Sequence, residues 1–110
     1  MNRSRKTAAV IGIIITTALA LGCGEPIPVR EMSLARMEIT RAESVRADRY
    51  APAEMEEAKK LLLGTHEFIK GDDLDKAKQG ALDSFAKARE AYETSLPLLA
   101  RDTMEIAEKS

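Results

Sequence analysis

Few side chains in this 110-residue sequence could do chemistry, and one stands apart. Cys23 is the sole cysteine. A thiol can be alkylated, ligate a metal or pair with a second thiol. With no second cysteine, an internal disulfide and a Cys-rich metal site are both excluded. His66 is the sole histidine, and its neighbour Glu67 points elsewhere around a helix. A catalytic imidazole needs a nucleophile or an orienting carboxylate, and a metal-bound one needs further ligands. A partly exposed structural histidine is therefore expected. Carboxylates are plentiful, but Asp72, Asp73 and Asp75 lack the glycine and terminal glutamate of an EF-hand loop. They stand where the start of a helix favours negative charge, as do Glu54, Glu56 and Glu57. No catalytic residue, metal-ligand set or cofactor-binding motif is expected, and the chain is not expected to be an enzyme.

The sequence around Cys23 points to what its thiol is for. Met1–Lys6 is polar and basic, with Arg3, Arg5 and Lys6 and no acid. Thr7 to Gly22 carries no charge over 16 residues and centres on Val10-Ile11-Gly12-Ile13-Ile14-Ile15. A spanning helix needs about 20 apolar residues, so this run is short for a permanent anchor. A basic flank, a short apolar centre and small residues at its end make a signal peptide over residues 1–22.

Ala20-Leu21-Gly22-Cys23 resembles the lipobox of bacterial lipoproteins, with Ala20 where that family usually has leucine. The resemblance implies a thioether from Cys23 to a diacylglycerol, cleavage before Cys23, and acylation of the new amino group by a chain such as palmitate. Two or more acyl chains anchor stably where one does not, at about 0.8 kcal/mol per buried methylene. Gly24 follows the cysteine, and an aspartate there would resemble the inner-membrane retention signal of enteric-type lipoproteins. The resemblance thus implies the outer membrane, facing the periplasm. Gly24-Glu25-Pro26-Ile27-Pro28 excludes helix and favours an extended spacer, so residues 23–28 are expected to be a lipidated cysteine and tether.

Residues 23–110 carry 14 Lys+Arg against 18 Asp+Glu. That balance argues against a nucleic-acid partner, which requires a basic face to displace counterions from phosphate. It also argues against holding to anionic lipid by charge alone. The chain has no tryptophan, so any core must be built chiefly from Ala, Leu, Ile and Met.

From Val29 onward the sequence is rich in strong helix formers and shows no alternating strand pattern. Residues 29–110 are expected to form one all-α domain, a small antiparallel hairpin or three-helix bundle with an additional C-terminal helix. The first helix runs from about Val29 to about Arg46, with Met32, Ala35, Ile39, Ala42 and Val45 on its stripe. Ala51 precedes proline and marks a boundary, and Pro52 suits a first helical position. The second helix continues to Lys70 with Met55, Ala58, Leu62 and Ile69 on one face. Gly71 stops it, and Asp72 or Asp73 caps the next helix after a short loop. The third stripe is Leu74, Ala77, Ala81, Phe85, Ala88 and Tyr92. Pro97 is expected to break or kink the helix, with a last helix over about Pro97 to Glu108.

Two fragments stand out together: Tyr50-Ala51-Pro52-Ala53-Glu54-Met55-Glu56-Glu57-Ala58 and Gly71-Asp72-Asp73-Leu74-Asp75-Lys76-Ala77. The pair resembles the bacterial domain-of-unknown-function family 4398, found in small envelope lipoproteins. The resemblance covers roughly Met32 to Thr94, and Asp73 stands where that family usually has an aromatic residue. It implies a helical hairpin or three-helix unit in the cell envelope, with no established enzymatic activity. The Gly-Asp turn with its following alanines also resembles one tetratricopeptide repeat, but such repeats need about three stacked copies.

Leu61, Leu62 and Leu63 cannot all be buried on one helical face, so at least one should be exposed or at an interface. The expected function is that of a membrane-anchored envelope lipoprotein. It acts as a scaffold or assembly accessory through a helical surface, with an envelope protein or a second copy as partner. The competing expectation is a periplasmic carrier holding a hydrophobic ligand or peptide between its helices. No nucleic acid and no small-molecule substrate is expected.

Overall fold

The computed structural model describes residues 27–109, and among these there is no strand. The fold is all-α, as the composition predicts. Helix α1 spans Val29–Ser44, α2 is a single turn over Ala47–Tyr50, α3 spans Pro52–Lys70, and α4 spans Leu74–Lys109.

Helix α4 is the spine. Both α1 and α3 pack along it, and they touch each other far less. Its buried residues are Ala77, Gly80, Ala81, Ser84, Ala88, Ala91 and Ser95. Apart from Gly80 they alternate steps of four and three, the spacing that keeps one narrow seam facing a partner helix. Small residues on that seam let two helices approach at once. The stripe expected from the sequence shares Ala77, Ala81 and Ala88 with it, but Phe85 and Tyr92 are only half-buried. They flank the seam because its centre has no room for a ring.

The register is set by a few contacts. Ser84 Oγ donates to the Ala58 carbonyl at 2.6 Å, and Gly80 lies against Thr65. Since 58 pairs with 84 and 65 with 80, α3 and α4 are antiparallel. Helix α1 runs parallel to α4: Pro28 and Glu31 share a hollow with Leu74 and Lys78. Near its other end, Arg41 lies 4.0 Å from the centre of the Tyr92 ring. That guanidinium also reaches Glu38 at 3.5 Å, so the buried glutamate has a cationic partner. The core proper joins Ile39, Ala42, Ala47, Ala51, Met55, Ala58, Ala88 and Ala91. All five stripe residues expected on α1 are buried, and so are Met55 and Ala58 on α3.

The turns differ from expectation in instructive ways. Helix α1 stops at Ser44, two residues early, because Arg46 turns left-handed at φ 60, ψ 40. That reversal brings Val45, Ala47 and Ala51 back into the core. Pro52 does open α3, and Ala51 before it is non-helical at φ −140. At the far end of α3 the left-handed residue is Asp72, at φ 59, and not Gly71. The Asp73 N–H donates to the Phe68 carbonyl at 2.8 Å and the Asp72 N–H to that of Ile69 at 3.0 Å. This is the Schellman pattern, moved one residue along so that Asp73 can cap α4. The Asp73 carboxylate accepts from the Lys76 N–H at 3.3 Å, the bond a helix N-cap makes.

The separate last helix is replaced by a continuous one. Pro97 lies inside α4, and the residues expected to follow a break run on from it. Proline there forfeits a backbone bond at a cost of about 3 kcal/mol, but position 97 is exposed and water can serve the freed carbonyl. Packing holds both sides. Ala91 and Ser95 are buried before the proline, and Tyr50 donates to Asp102 beyond it at 2.5 Å.

Candidate interaction surface

Cys23 lies outside the described residues, as do the expected signal peptide and the start of the expected tether. The other residues weighed for chemistry are all placed. Asp73 is a helix cap, Asp72 forms the turn, and Asp75 and Glu54 lie in first helical turns. Among the described residues, no three His, Cys, Asp or Glu side chains gather where they could share a metal ion. No described helix is long and apolar enough to cross a membrane.

His66 is half-buried on α3. It lines an open groove of about 440 Å³ with Lys59, Leu62 and Leu63 from its own helix and Arg36, Ile39 and Thr40 from α1. The groove exists because α1 and α3 both lean on α4 and leave the crease between them uncovered. Beyond Leu63 a second open hollow of similar size adds Asp48, Pro52, Glu56 and Lys60, and shares Lys59 and Leu63 with the first. Leu63 stands between the two and is 68% exposed. It is the member of the leucine triplet left outside the core, while Leu61 and Leu62 are half-buried. Thr65, which the sequence stripe passed over, is fully buried. Its hydroxyl is spent on the Leu61 carbonyl at 3.0 Å, the usual way a threonine joins an apolar helix face.

A second concave area lies where α2 meets the end of α4. It brings together Arg46, Arg49, Tyr50, Leu99, Asp102 and Ile106. The Asp102 carboxylate accepts the Tyr50 proton. That bond, with partial burial, raises the phenol above its usual range. Arg49 lies 5.6 Å from the ring centre. Tyrosine bonded to a carboxylate beside arginines is a clasp between two helices, and it includes no nucleophile with a base to activate it. This contact joins residues 52 positions apart, and no spacing rule along the sequence could have found it.

Apolar surface is exposed elsewhere too, at Met37 on α1 and at Leu82, Leu96 and Met104 on α4. The chain matches none of the protein-family models, curated proteins or solved structures with which it was compared.

Proposed function

We propose that this protein is a lipid-tethered adaptor of the bacterial cell envelope, anchored through diacylglycerol and an acyl chain on Cys23. Its helical domain faces the periplasm from the outer membrane and holds a protein partner. The observation that carries the adaptor reading is the contrast between a closed core and an open apolar crease. Helices α1, α3 and α4 meet through alanines and serines with little space between them, while Leu63 stands 68% exposed among apolar neighbours. Contiguous apolar surface of this kind is what partner binding uses. The carrier reading has less behind it, because a carrier encloses its ligand and these hollows are open grooves on the surface.

The tether reading rests on the lipobox-like Ala20-Leu21-Gly22-Cys23, the signal-peptide pattern before it and the resemblance to family 4398. Metabolic labelling with an alkyne fatty acid tests it. The wild-type chain should take the label and fractionate with membranes in high salt, and Cys23→Ala should do neither. Label persisting in Cys23→Ala would remove the lipoprotein assignment. For the adaptor role, a photo-crosslinker at position 63 should give a discrete adduct in the cell, and one at exposed Glu90 should not.

A further inference from the structure

We infer that the crease between α1 and α3 receives one amphipathic helix from an acidic partner, laid against the bundle as its fourth helix. Two helices resting side by side on a third leave one vacant position, opposite that third helix. Helices pack with their axes about 8–10 Å apart, so a crease floored by side chains from both neighbours suits a helix. Here the floor is buried Ile39 of α1 and half-buried Leu62 of α3, with Leu63 raised beside them. The groove between α1 and α3 runs along α3 from Lys59 to His66, and the hollow that shares Lys59 and Leu63 with it, walled by α2 and α3, extends the line to Pro52. That length is roughly 21 Å at about 1.5 Å per residue, or about four helical turns.

Charge chooses the partner. The chain carries more acidic than basic residues, yet the charged side chains lining the groove at Ile39 and Leu62 are Arg36 and Lys59, with no carboxylate among them. Arg36 has no ion pair among the described residues, and Lys59 reaches only exposed Asp48, at 3.3 Å. Acids enter the lining only in the neighbouring hollow, at Asp48 and Glu56, where Lys60 accompanies them. A helix with an apolar stripe at helical spacing and glutamates beside it would place its leucines on Ile39, Leu62 and Leu63. Its acids would then meet Arg36 and Lys59. A basic helix would set like charges together at the same place, which interfaces avoid.

This inference deepens the adaptor reading by naming the partner's chemistry, and its test does not depend on Cys23. The probes are two synthetic amphipathic helices about four turns long, with the same leucine stripe and either Glu or Lys on its flanks. Each is titrated into the isotope-labelled full-length chain in detergent. The Glu peptide should shift amides of Ile39, Leu62, Leu63 and His66, and bind at least about tenfold more tightly than the Lys peptide. The double variant Arg36→Glu/Lys59→Glu, both at exposed positions, should reverse that preference while keeping the helical spectrum. Equal affinity for the two peptides, absence of binding, or shifts centred away from the crease would overturn the inference. So would a dimer in sedimentation equilibrium that Leu63→Glu dissociates, because it would assign the crease to a second copy. Loss of acyl labelling at Cys23 would leave all these outcomes unchanged.

Discussion

A Cβ placed on Gly80 would lie 2.7 Å from Thr65 Oγ1, closer than the two atoms can approach. Helix α3 comes so near α4 at this level that only hydrogen fits. Thr65 cannot easily turn aside, since it is fully buried and its hydroxyl is bonded to the Leu61 carbonyl. Glycine inside a helix costs up to about 1 kcal/mol against alanine, so at this position close approach outweighs helix propensity.

Gly80→Ala should therefore destabilise the protein by about 1–2 kcal/mol, the overpacking penalty less the propensity gain. In a Thr65→Ala background the same change should be neutral or stabilising. Urea unfolding of the four proteins in this cycle measures the coupling. Additive effects would mean that the two residues do not meet.

Two buried serines on the α4 seam should respond in opposite directions. Ser84 donates to the Ala58 carbonyl across the interface, and Ser84→Ala should cost about 1 kcal/mol. Ser95 is equally buried, and its hydroxyl has no hydrogen-bond partner. Ser95→Ala should raise stability by about 1 kcal/mol, because the unmet hydroxyl and the poorer helix former go together. Paired thermal melts separate the two cases.

Arg46 holds a left-handed conformation at φ 60 that costs an L-residue roughly 1–2 kcal/mol. Arg46→Gly should stabilise by up to about 1 kcal/mol, part of the relief being offset by the greater freedom of glycine in the unfolded chain. The denaturation midpoint should rise with an unchanged m-value.

The clasp between Tyr50 and Asp102 should give the fold an alkaline limit. The bonded phenol holds its proton more tightly folded than unfolded. Its contribution is thus present in full below pH 10.0, the free phenol's value, and fades as pH climbs through the raised native value. Hydrogen-exchange protection factors at residues 98–105, taken against the intrinsic base-catalysed rate, should fall in that range for the wild type. Tyr50→Phe should show lower protection already at neutral pH, with less further loss from neutral to alkaline pH. Pro97→Ala should protect the same residues, since it restores the backbone bond that proline removes.

Much of this architecture was legible along the chain because helices announce themselves locally. Met32, Ala35, Ile39, Ala42 and Val45 lie on one stripe by spacing alone, and Pro52 and Asp73 mark helix starts by their own chemistry. What escaped was decided by neighbours distant in sequence. Helix α4 serves two partners at once, so its seam runs through Gly80 and Ser84 and leaves Phe85 and Tyr92 at the margin. Helix α4 persists through Pro97 with a tyrosine 47 positions earlier in the chain bonded to Asp102. The crease was foreshadowed only by the surplus of Leu61, Leu62 and Leu63. Its walls and its charge depend on which helices α4 brings side by side.

The unbroken α4 makes the molecule a measuring rod. Its 36 residues extend about 54 Å at the helical rise of about 1.5 Å each. Because α1 runs alongside in the same direction, Ile27 lies at one end of the rod and Met104 near the other. Anything grasped at the far tip is held some five nanometres from Ile27, where the described residues begin. Inserting seven residues beyond Thr103 would lengthen the reach by about 10 Å and preserve the facing of the tip, whereas inserting five or six would turn it aside. Spacing and orientation at the tip are thus written into a single stretch of helix, and can be varied there without touching the core.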